Sequence, residues 1–329
     1  MRSLTAMQAG QLSMVKITLL GVAAGIAAAL LFATIVSGSL TAIFLFYLAP
    51  LPIMIAALGF SQLAGLIAAA TATSTVAMLS GAFFVPVALI AFGAWWLGYL
   101  ALLGRPATIP AYSSARTPED TEHGTDLEWY PIGRLLLWAA AIGTLVVAAA
   151  VPNFGTDQES LHASLRKTYS AILGDSAIID LLVIAVPPAA AVFSTVTNIL
   201  NLWLAGRIVK ISGRLVRPWP ALAELRLPVI ASALLTVAAM ASLLPDLFGI
   251  LSGAFAASLV VVFAMVGLAV LHSISFPANI RRLVLAAVYT VTFLIGWPLL
   301  LISVVGFAET LFNIRARIAG RRRPPIMPT

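Results

Sequence analysis

Apolar residues in this chain run in blocks of about twenty, separated by short polar or proline- and glycine-marked breaks, as in Ile17 to Val36 and Leu283 to Val305. An apolar stretch of about 20 residues is what a helix needs to cross the hydrocarbon core of a bilayer. Ten such segments can be drawn, at 17–36, 40–59, 62–80, 82–103, 132–151, 178–207, 227–244, 248–271, 281–295 and 297–314. The last two divide one long run at Gly296-Trp297-Pro298, because proline removes an amide and clashes with the preceding turn; Pro187-Pro188 is expected to interrupt 178–207 in the same way. None of the blocks alternates apolar and polar residues as the strands of a membrane barrel do. The pattern therefore predicts an all-α fold: one polytopic transmembrane helix bundle over 1–329, with 8–10 crossings.

Two interruptions have their own character. The stretch 104–130 carries Glu119, Asp120, Glu122, Asp126 and Glu128 among Pro, Ser and Thr, too polar to build a core, and is expected to be a flexible cytoplasmic loop. Over 156–173, Thr156-Asp157-Gln158-Glu159 has the spacing of a capping box. Leu161, Leu165, Tyr169 and Ile172 then share one face, the pattern of an amphipathic helix lying on the outer membrane surface.

Composition sharpens the class. Of 329 residues, 61% are hydrophobic and 9% charged, and the mean hydropathy is +1.05. Those values exclude a soluble enzyme on a single anchor. With no cysteine and three scattered histidines (His123, His162, His272), no metal-ligand spacing is present. The net charge of +7 reflects topology and not nucleic acid binding. With both termini on the cytoplasmic side, 17 of the 19 Lys and Arg fall inside, as the positive-inside rule requires. The first apolar run leads straight into further spans without a small-residue cleavage site, so it is expected to be a retained helix. The expected setting is a bacterial inner membrane, with the lipid bilayer as the main partner.

No catalytic motif is present: no phosphate-binding loop, no His-Glu-x-x-His helix, no Gly-x-Ser-x-Gly elbow. The chain is expected to be no enzyme and to carry no cofactor. The strongest binding candidates are Asn198 and Asn201, three residues apart on one helix face and flanked by Thr197. Buried amides need partners, and these serve either as interhelical glue or as substrate or ion contacts. Tyr47, just before the Pro50-Leu51-Pro52 break, could line a cavity there. Glu309, an acid within a crossing, either contacts a solute or pairs with Arg315 or Asn313. Gly21 and Gly25 with Ala23 and Ala27 make a small-residue face, for internal packing or for docking a membrane partner. The basic segment with Arg207, Arg214 and Arg217 anchors topology and contacts anionic lipid, or docks a partner through 205–226.

Three stretches carry a resemblance. Phe46-Tyr47-Leu48-Ala49-Pro50-Leu51-Pro52, then Asn201 to Arg207 with Gly213-Arg214 and Arg217-Pro-Trp-Pro220, and finally Gly306-Phe-Ala-Glu309 with Asn313-Ile-Arg315 resemble the YybS-like group of uncharacterised bacterial inner-membrane proteins. Glu309 stands where that group usually has aspartate. The group is distantly similar to the S components of energy-coupling-factor transporters, which implies a solute-binding transport component whose first helix docks a partner. A transport component requires a polar cavity near Asn198, Asn201 and Tyr47. A non-transporting scaffold for envelope or cell-shape machinery requires a packed bundle with none.

Overall fold

In a computed structural model, residues 13–79, 84–106, 127–174, 176–221, 225–274 and 281–321 are described. They form an all-α bundle in which seven helical spans are long and apolar enough to cross a membrane. In chain order the elements are α1 (Met14–Ala33), α2 (Leu40–Tyr47), α3 (Pro50–Gly59), α4 (Gln62–Leu79) and α5 (Phe84–Ala101), then β1 (Gly104–Pro106) and β2 (Leu127–Trp129). After them come α6 (Ile132–Ala150), α7 (Gln158–Leu173), α8 (Ile179–Ile211), α9 (Ile230–Ala241), α10 (Asp246–Ile274), α11 (Arg281–Ile295), α12 (Pro298–Phe312) and α13 (Ile314–Arg321).

Small residues set how closely the first helices pack. Gly21 and Gly25 lie on α4: a Cβ on Gly21 would stand 2.8 Å from the Ala64 carbonyl, and one on Gly25 would stand 2.5 Å from Thr71 Cβ. The matched advance from 21 to 25 and from 64 to 68 makes α1 and α4 parallel. Ala23 and Ala27 lie on the exposed side of α1. The same device joins α6 to α8, where Gly143 faces Ala191 and Thr195, and α10 to α12, where Gly267 meets the Ile302 carbonyl and Gly306 that of Phe263.

The ends of the helices define two faces. Gly133 at the start of α6 lies against the Arg226 carbonyl, and Gly59 at the end of α3 against Val209. Arg217 donates to the Ala101 and Tyr130 carbonyls at 2.9 and 3.0 Å. On the opposite face Gln158 of α7 accepts from the Asp246 amide at 2.9 Å. Tracing each span from these points puts thirteen of the fifteen described Lys and Arg on the first face. Arg166 and Lys167 alone of these lie on the other. The beginning of α1 and the helix α13 share this basic face.

Several expectations are corrected. The two ends of the 104–130 stretch are a paired ribbon, Gly104 opposite Trp129 and Pro106 opposite Leu127, fixed by an exposed Arg105–Glu128 ion pair. Residues 107–126 lie outside the described residues. The capping box of α7 sits one residue further on: Asp157 accepts from the Ser160 amide at 2.9 Å and Ser160 Oγ from the Asp157 amide at 3.3 Å. That amide bond holds the Asp157 carboxyl below its ordinary range. Leu161 and Leu165 pack into the protein, in a cluster with Val151, Ile179 and Val183, while Ile172 is 71% exposed. Helix α8 runs unbroken through Pro187 and Pro188. Within 281–314 the chain does break where expected, with Gly296 at φ 79°. The two helices of 15 residues each rise about 22 Å, short of a hydrocarbon core of about 30 Å. Neither helix alone is long enough to cross it.

Gly25→Leu is expected to lower stability by about 1–3 kcal/mol through overpacking, while Ala23→Leu leaves it unchanged. Thermal unfolding of the two variants in detergent checks the contrast.

Candidate functional site

The second span breaks in mid-membrane, and the reason is local. Pro50 and Pro52 have no amide to give. The Phe46 carbonyl is bonded by Ala49 and the Leu48 carbonyl by Leu51, at 3.1 and 3.0 Å. The Tyr47 carbonyl is then left without a backbone donor. A polar backbone group at this depth must be satisfied by protein. Asn201 of α8 does it: its Nδ2 donates to the Tyr47 carbonyl at 2.8 Å and to the Thr197 carbonyl at 2.9 Å. Both acceptors are carbonyls, which fixes the orientation of the amide. Asn201 is thus the tie between α2, α3 and α8, and is committed to structure.

Asn198 is different. It is 2% exposed, its Nδ2 has no partner, and its side chain makes no hydrogen bond to the described residues. Among buried amides this is uncommon. It stands at the floor of a cavity of about 740 Å³ that also takes in Tyr47, Pro50 and Thr197. The walls come from the far ends of the surrounding helices: Phe32 and Ala33 of α1, Val76 and Leu79 of α4, Val87 and Ile90 of α5, Val147 and Ala150 of α6. All of these lie toward the face opposite the basic one, so the cavity occupies that half of the bundle. No charged residue lines it. On one side the Tyr47 ring stacks on Phe193 at 6.5 Å, and its other neighbour Phe46 meets Phe32 edge-on at 5.6 Å.

Tyr47, Thr197 and Asn198 are therefore brought together as the sequence suggests, while Asn201 lies directly below them as their support. The expected polar cavity is instead mostly apolar, its polar lining limited to Tyr47, Ser194, Thr197 and Asn198. Its apolar wall was not foreseen, since Phe32, Val76, Val87 and Val147 look like ordinary lipid-facing or core positions in the sequence. The proline pair is the signal that pointed to it.

Glu309 is not part of the cavity. It is buried against Arg315, accepting from its backbone amide at 3.0 Å and from Nε at 2.8 Å. Arg315 also donates to the Leu225 carbonyl at 2.6 Å. Asn313, in the left-handed region at φ 49°, turns the chain so that Arg315 can fold back. This latch closes α12 onto the segment before α9. Of the three arginines considered for docking, Arg217 is turned inward onto Ala101 and Tyr130, and its burial lowers its basicity. Arg207 and Arg214 remain exposed. Among the described residues no cluster of His, Asp and Glu could hold a metal ion.

Compared with protein-family models, curated proteins and solved structures, the chain matches none. The functional assignment therefore rests on the site alone.

Asn201→Leu is expected to destabilise the protein by about 1–3 kcal/mol, because the Tyr47 carbonyl is orphaned. Asn198→Leu forfeits no hydrogen bond and should leave stability unchanged or raise it. Thermal melts of the purified variants check the pair. In the same assay Glu309→Gln should cost about 3–5 kcal/mol, the expected penalty for leaving one member of a buried ion pair uncompensated.

Proposed function

We propose that this chain is a multi-pass protein of a bacterial cytoplasmic membrane, basic face inside, that binds a lipid-like guest in the cavity above Asn198. The guest has an apolar body and one uncharged polar group, and it enters from the outer half of the membrane. The observation that carries this is the unbonded Asn198 amide at the end of an apolar cavity of about 740 Å³. Ligand sites commonly have this build, a few hundred cubic ångströms of apolar wall with few polar groups fixing orientation. An amide can meet either a carbonyl or a hydroxyl. A carboxylate or phosphate would be carried into the cavity unpaired, at high cost.

The charge asymmetry supports the orientation, since Lys and Arg collect on the cytoplasmic side. Resemblance to the YybS-like group and to energy-coupling-factor S components favours a role as the membrane-embedded binding component of a transport system. Gly21 and Gly25 are taken up by α4, so of the small residues considered for docking on α1 only Ala23 and Ala27, both exposed, are left for such a partner. A pure scaffold needs no cavity, so the cavity weighs against that alternative.

The test uses protein extracted gently from its native membrane. Small molecules released on denaturation are identified by mass spectrometry. A near-stoichiometric uncharged amphiphile is expected from the wild type. Ala190→Trp, an exposed position on the cavity wall, and Asn198→Leu should each reduce its recovery about tenfold without lowering protein yield. Identical recovery from all three proteins would reject the cavity as the binding site.

A further inference from the structure

A second feature lies on the basic face and is independent of the cavity. Where α8 leaves the bundle, Pro218-Trp219-Pro220 folds back over its end. The Trp219 ring comes to rest on Gly206, with Cζ3 3.4 Å from where a Cβ would stand. Arg217, next to it, is tied to the Ala101 and Tyr130 carbonyls, so the fold-back is anchored at its base. Two cations then converge on one aromatic ring. The Arg207 guanidinium carbon is 5.3 Å from the Trp219 centroid and Lys210 Nζ is 5.2 Å from it. The two charges are thus no farther apart than the sum of those distances. Arg207 is also 5.8 Å from the ring of Trp203, one helical turn back. Beyond the end of α8, Arg214 lies 4.6 Å over the ring of Phe60.

None of these cations meets a carboxylate among the described residues; the ion pairs there are Arg105–Glu128, Arg166–Asp180 and Glu309–Arg315. Aromatic rings attract each cation singly but do nothing for the repulsion between them. An anion placed between Arg207 and Lys210 turns that repulsion into two attractions. Beside the pair the surface is greasy: Leu200 is 49% exposed, Trp203 48% and Ile211 82%. A half-exposed tryptophan next to clustered Lys and Arg is the arrangement found at headgroup level.

We infer that Arg207 and Lys210, set around Trp219, hold the phosphate of an anionic phospholipid, with its acyl chains along Leu200 and Trp203. The fixed tryptophan makes this a discrete site and not a diffuse basic coat. A free phosphate would gain the same charge contacts but would leave that apolar surface uncovered. A phosphorylated or acidic soluble partner would do so too.

The test is native mass spectrometry of the full chain released from micelles doped with phosphatidylglycerol or phosphatidylcholine. One phosphatidylglycerol should be retained at least tenfold better than phosphatidylcholine. Arg207→Gln with Lys210→Gln should lower that retention roughly 10- to 30-fold, as removal of two surface cations implies, at unchanged melting temperature. Should the double variant fold poorly, Lys210→Gln alone should still lower retention about threefold or more, with Arg207→Lys close to wild type. Equal retention of the two lipids, or no loss in the variants, would overturn the site. Displacement of the lipid by millimolar inorganic phosphate would overturn its assignment to a lipid.

Discussion

One hydrogen bond organises the first half of this bundle: the Asn201 amide to the Tyr47 carbonyl, at 2.8 Å. A bilayer supplies no water to a carbonyl stripped of its helical donor, so a proline break in mid-span survives only where another helix provides one. That requirement holds α8 against the junction of α2 and α3. The cavity borders that junction, with Phe46, Tyr47 and Pro50 in its lining. Removal of Asn201 would take away the floor on which Tyr47, Thr197 and Asn198 meet.

Around this junction, close approach through small residues supplies most of the remaining order. Between α1 and α4, α6 and α8, and α10 and α12, glycines bring backbone to backbone where any Cβ would collide. In lipid such packing replaces the hydrophobic driving force that holds soluble helices together. The basic face adds polar ties of longer reach. Arg217 joins the end of α8 to α5 and to the β-ribbon, and the Glu309–Arg315 pair joins α12 to the segment before α9. The opposite face has fewer such ties and holds the open half of the bundle.

Much of this was legible in the sequence because it depends on neighbours a few residues apart. The apolar blocks give the spans, Gly296-Trp297-Pro298 gives the break between α11 and α12, and Glu309 and Arg315 are close enough for their pairing to be foreseen. Pro50 and Pro52 mark the point where a cavity begins. The rest depends on residues far apart in the chain. That Asn201 rather than Asn198 satisfies a backbone group is decided by Tyr47, 154 positions away. The inward turn of Arg217 is likewise decided by Ala101 and Tyr130. Helix α8 passes through Pro187 and Pro188 because two missing amides cost less than opening a helix in lipid, and local propensity says otherwise. The apolar character of the cavity was obscured because its walls are the same residue types that face lipid.

The central claim is that the amide of Asn198 is kept unbonded for a guest. The most direct test is a high-resolution structure of the protein in lipid nanodiscs made from its own membrane. The account predicts elongated density filling the cavity, with a polar atom within hydrogen-bonding distance of the Asn198 amide and contact along Phe32 and Val87. A cavity closed by its own side chains, with Asn198 bonded to a neighbouring helix, would contradict it.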